Sequence, residues 1–171
     1  TQQLKILKEK GKRMTDEEIY KEIKKKFDIQ EFVSPKVYKK YGESAWKFID
    51  VRLLQTLLII RINLGRPITI NNWHIGGRFK QRGLRSNLGY IFLSKFKKGI
   101  LYLSGHVLGK AVDFDVSGMK AEDVRVWIEN NEHLFPYKIR LENKMKGKPI
   151  NWVHLDMIWE AKNPKIYKFN I

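Results

Sequence analysis

The sequence contains no cysteine, which excludes disulfides and thiolate metal sites, so any bound metal must be held by histidine and carboxylate. No run of apolar residues is long enough to cross a bilayer, and no membrane span is expected. Thr1 to Arg13 are basic and polar without an apolar centre, so no secretory signal is read there. The missing initiator methionine points to processing or trimming. Neither an internal repeat nor a low-complexity tract is present. Acidic residues are the scarce charge: 18 Asp and Glu stand against 34 Lys and Arg, a net charge of +16. Such an excess calls for anionic surroundings, with nucleic acid, a membrane surface and an anionic cell wall all qualifying.

What is present suffices for one domain with a small extension. The 171 residues are 43% hydrophobic and 12% aromatic, enough to fill a core. Residues 1–30 are dominated by Lys and Glu and read as a basic helical extension, a solvated arm or a nucleic-acid-binding one. Thr15 to Glu18 form a capping box, and Ile19, Ile23 and Phe27 a thin apolar stripe. Residues 31–171 form the main domain. A long helix is expected from Ala45 to Leu64, stopped by Gly65, with a strand following over Pro67 to Ile70. Asn71 to Asn87, rich in Gly, Arg and Asn, reads as a functional loop. Ile91 to Leu93 and Ile100 to Leu103 read as short strands or loop anchors. Val112 to Val116 alternates as a strand, and Met119 to Asp123 opens a helix. Ile139 to Glu142 and Ile150 to Ile158 form a hairpin across Asn143 to Pro149. The class is α+β, with helices packed against a mainly antiparallel sheet.

Two stretches carry chemistry. In Ser104-Gly105-His106-Val107-Leu108-Gly109-Lys110-Ala111-Val112-Asp113, small residues let the backbone turn so that His106 and Asp113 can converge. In Asn151-Trp152-Val153-His154-Leu155-Asp156, the period of a strand puts His154 and Asp156 on one face. Two imidazoles and one carboxylate suit zinc, and three ligands leave a fourth position for water. His133 reads as a solvated surface residue.

Together, Ser104-x-His106-x-x-Gly109-x-Ala111-x-Asp113 and Trp152-Val153-His154-Leu155-Asp156 resemble the D-alanyl-D-alanine carboxypeptidase-like zinc peptidases. That group includes phage endolysins and murein endopeptidase relatives, and the amino-terminal hedgehog domain shares its fold. The similarity spans about Phe32 to Ile158, and Pro67 to Trp73 with the Arg-Gly-rich loop are similar to the phage-type branch. The resemblance implies a hedgehog-like fold, Zn2+ as cofactor, His106, Asp113 and His154 as its ligands, and peptidoglycan stem peptides or cross-links as substrate. One departure stands out: the family commonly places Glu or Asp three residues before the last His ligand, where this chain has Asn151. The proposed hairpin brings Glu142 beside His154 as a substitute proton acceptor. Asp156 either shares that role or orients His154.

Stem peptides carry carboxylates, which a planar guanidinium recognises through paired hydrogen bonds. Arg85, in a Gly83-Leu84-Arg85-Ser86 segment similar to the family's Gly-Tyr-Arg-Ser, is the first choice, then Arg82, with Arg78 beside them. Trp73, His74 and Ser104 are further candidates for the cleft. The expected activity is hydrolysis of peptidoglycan peptide bonds by a metallopeptidase of a phage, acting from the virion or from the host cytoplasm before release to the wall, with phage virion proteins as further partners. A non-catalytic virion or wall-binding module on the same fold is the alternative. Nucleic-acid binding ranks last because it leaves the His-Asp-His set unexplained.

Overall fold

The computed structural model describes residue 5, residues 7–9 and residues 11–171; the remainder of the basic 1–30 segment lies outside the described residues. Among these are five α-helices and a five-stranded open sheet, a mixed α+β architecture. The helices are α1 (Asp16–Ile23), α2 (Pro35–Tyr41), α3 (Val51–Leu64), α4 (Tyr90–Lys97) and α5 (Ala121–Asn130). The strands are β1 (Ile68–Thr69), β2 (Ala111–Val116), β3 (Ile139–Met145), β4 (Lys148–Asp156) and β5 (Ile166–Asn170), ordered β1-β2-β4-β3-β5. All neighbours pair antiparallel except β3 and β5.

The strands alternate, which gives the sheet two different faces. Val112, Phe114 and Val116 of β2, Val153 and Leu155 of β4, and Ile139 and Leu141 of β3 are buried in the hydrophobic core. Helix α5 covers this face over β2 and β4. The alternate positions carry Asp113, His154, Glu142 and Asp156. Burial of the apolar set therefore commits the polar set to the opposite face, since a slip of one residue would exchange them.

Residues 14–27 pack against the rest of the chain and do not stand off as a solvated arm. The capping box forms as read: Thr15 accepts from Glu18 N, and Glu18 reaches back to Thr15 N. Ile19, Ile23 and Phe27 then bury in the common core, where α1 packs on α3. Burying three apolar side chains offsets the ordering of a short helix that its own propensity would not hold.

The single helix expected over Ala45 to Leu64 is two elements. Gly42–Phe48 is a 3-10 helix, and the chain extends at Ile49 before α3 begins. Asp50 caps α3 by accepting from Arg52 N at 2.9 Å, and Gly65 closes it in the left-handed region. The strand over Pro67 to Ile70 shortens to β1. The hairpin is longer and tighter than expected. Only Lys146 and Gly147 separate β3 from β4, both at positive φ, the twist a two-residue loop needs. Ile91 to Leu93 lie in helix α4, not in a strand, and residues 100–103 have no regular structure.

Candidate metal centre

One row of side chains crosses the sheet. Asp113 of β2 stands opposite His154 of β4, His154 opposite Glu142 of β3, and Glu142 opposite Phe169 of β5. Directly opposed residues share a face, so the ladder alone brings the acid and the base together. A bulge after Glu142 ends the regular register there. His106 enters from the turn at residues 105–109, whose conformation its glycines set. Gly109 has φ of 67°, and a side chain there would collide with the Phe48 carbonyl. Its own carbonyl accepts from Asp50 N at 2.9 Å, tying the turn to the start of α3.

The ligand atoms of His106, Asp113 and His154 lie within 4.8 Å of one another, and the group could hold a metal ion. The hydrogen bonds assign the ring nitrogens. His106 Nδ1 faces the Gly83 carbonyl at 2.9 Å, which can only accept, so Nδ1 carries the proton. Nε2 then directs a lone pair toward Asp113 Oδ2, 3.3 Å away. Burial pushes His106 below its ordinary value, favouring this neutral form. Two electron-pair donors facing each other in a buried site call for a cation between them.

His154 lies between two carboxylates, with Nδ1 2.8 Å from Asp113 Oδ1 and Nε2 2.9 Å from Asp156 Oδ2. Burial opposes its charge, but the hydrogen bonds to Asp113 and Asp156 outweigh it and raise the imidazole to about 9. A metal bound through Nδ1 would displace that proton, leaving Nε2–H on Asp156, the arrangement that orients metal-bound histidines. Asp113 is held below the usual carboxylate range: burial works against its charge, and the hydrogen bond from the protonated His154, with its charge, prevails.

Asp156 is placed to orient His154, one of the two roles read from the sequence. It is buried, accepts from His154 and from Ile158 N, and forms a double hydrogen bond with Arg140 at 2.8 and 3.1 Å. Arg140 and Phe169 were not anticipated. The Arg140 guanidinium lies 4.4 Å from the centroid of the Phe169 ring, and that ring packs edge-on to His154. The signal available was register: once β3 and β4 are aligned, Arg140 falls opposite Asp156.

Glu142 is 4% exposed, and its Oε1 has no hydrogen-bond partner. Burial raises its carboxyl above the ordinary value, the environment in which a carboxylate becomes a better proton acceptor.

Beside the row opens a cleft of about 480 Å³. Arg78, Arg82, Arg85 and Asn151 line it together with Asp113; His106, His154, Glu142, Trp73 and Ser104 are not in its wall. Arg85 is held fast, donating to Gln81 O, Tyr102 Oη and Asp113 Oδ2. Arg82 pairs with Asp115 at 2.6 Å and lies over Phe79. Arg78 also lies over Phe79 and makes no ion pair among the described residues. It is the arginine whose fork is open. Trp73 turns away to donate to Val33 O at 2.8 Å, and Ser104 shapes the turn by accepting from Val107 N. His133 is exposed, as read.

Comparison with protein-family models, with curated proteins and with solved structures gave no match. The functional reading therefore rests on the residues and their geometry.

Proposed function

We propose that this chain is a zinc-dependent peptidase that hydrolyses peptide bonds in bacterial peptidoglycan, of the D-alanyl-D-alanine carboxypeptidase-like kind and of phage origin. The observation that carries the proposal is the buried meeting of His106 Nε2, Asp113 and His154 Nδ1, with Glu142 in the next position of the same row. Two nitrogens and one oxygen form a donor set suited to zinc.

A bound zinc ion would supply Lewis acidity toward a peptide carbonyl and toward water. The chain's own residues have distinct tasks. The unpartnered, buried Glu142 carboxylate accepts the proton of the attacking water and returns it to the leaving amine. Asp156, held by Arg140, keeps the His154 ring in its plane. Arg78 and the remaining donors of Arg82 receive a substrate carboxylate in the cleft, while Arg85 braces Asp113.

The purified protein is expected to contain one zinc per chain, and His106→Ala and His154→Ala to contain almost none. It releases muropeptides from purified sacculi, and Glu142→Gln slows release by about 10²- to 10⁴-fold with its zinc retained. Full metal in both histidine variants would overturn the site.

A second reading, a wall-binding module without turnover, draws on Asn151, an amide in the cleft wall where a carboxylate is expected. Sacculus binding with no muropeptide release under any metal condition would select it.

A further inference from the structure

Helix α4 has no buried residue in its whole length. Gly99, at φ 65°, ends it, and Ile100 N reaches back to Lys95 O at 3.0 Å, folding residues 100–103 alongside. The two segments enclose a groove of about 450 Å³ lined by Phe92, Phe96, Ile100, Leu101, Leu103 and Val107. Leu101 is 85% exposed, Phe96 71% and Leu103 69%. Water-facing aromatic and leucine side chains gathered in one patch mark a surface that another phase or molecule covers.

Charge says what covers it. Lys95, Lys97 and Lys98 lie in or just after the same helix, next in sequence to groove residues Phe96 and Gly99, and no Asp or Glu occurs anywhere from position 51 to position 112. A second copy of the chain would bring like charge against like. An anionic lipid surface meets both halves of the patch: headgroups for the lysines, and the acyl boundary for the apolar side chains.

We propose that α4 and residues 100–103 form a peripheral docking surface for an anionic lipid bilayer. Phe96, Leu101 and Leu103 enter the headgroup boundary, and Lys95, Lys97 and Lys98 rest on lipid phosphates. Tyr90 and Ile91 of the same helix line the cleft, so docking holds the cleft at the membrane face. The surface stands independently of the metal centre, since none of its residues holds a ligand.

Vesicle flotation of the full chain tests this, with phosphatidylcholine vesicles that contain or lack phosphatidylglycerol. Binding is expected only where phosphatidylglycerol is present. Lys95→Gln/Lys97→Gln/Lys98→Gln should weaken it roughly hundredfold, about fivefold per charge. Phe96→Ser/Leu101→Ser, with charge unchanged, should weaken it at least about tenfold. A control, Lys21→Gln/Lys24→Gln/Lys26→Gln, removes equal charge from the region of α1 and should change affinity less than about threefold. All variants should keep the parent circular dichroism spectrum, because the altered side chains lie at the surface. Absent binding to phosphatidylglycerol vesicles, equal losses in both lysine triples, or full binding by Phe96→Ser/Leu101→Ser would overturn the proposal. So would a dimer in sedimentation velocity that Phe96→Ser/Leu101→Ser dissolves, which assigns the patch to a second copy.

Discussion

Each nitrogen of His154 has a carboxylate against it, and the metal-free chain therefore stores ion-pair energy there. The raised His154 pKa contributes stability that is complete below its unfolded value of about 6.5 and is lost as pH rises through about 9. The depressed Asp113 and Asp156 contribute stability above about 3.9 that is lost on acidification. Because the depressed His106 loses stability as pH falls below about 6.5, the chelated protein should accordingly melt highest near pH 6.5 and lose melting temperature steadily toward pH 9. A pH series by calorimetry checks this, and a flat profile from 6.5 to 9 would contradict it. Asp156→Asn replaces the charged acceptor that orients His154 with a neutral amide and should lower zinc affinity by roughly ten- to hundredfold in a chelator competition. At this scale the sequence was informative where spacing itself carries chemistry: His106, Asp113 and His154 meet, and Glu142 stands beside them. It was uninformative about which arginine is free, because pairing with Asp113 or Asp115 depends on loop geometry that no local pattern encodes.

Among the elements, α1 gives the sharpest test of packing. Ile23 is wholly buried against a core that also holds α3, so Ile23→Ala should cost about 2–5 kcal/mol in denaturant unfolding. A solvated arm would register almost nothing. Gly109→Ala meets both a positive φ and the Phe48 carbonyl, and should destabilise the chain by at least about 2 kcal/mol while loosening zinc retention through His106. The strands β2, β3 and β4 were readable because each buries one face and alternates accordingly. Helix α4 was not, because its apolar residues have no core to face and leave no clean helical stripe. The break between Ala45 and Leu64 had a signal, Asp50 as a cap, but the apolar run across it reads as continuous.

For the molecule as a whole, a metal that binds only the folded state should stabilise it by mass action. Zinc at about a hundred times its dissociation constant adds about 2.7 kcal/mol, or a rise of roughly 5–10 °C for a chain of this size, reversed by chelator. An unchanged melting curve would remove the metal centre from the folded state. The charge of +16 should also make sacculus binding fall as salt rises, since screening weakens attraction to an anionic polymer.

Strand β4 is synthesised after β3, yet it lies between β2 and β3. A growing chain that has left the ribosome only as far as Asp113 carries two of the three groups that could hold a metal and lacks the third. The candidate centre is complete only once β4 takes its place in the middle of the sheet.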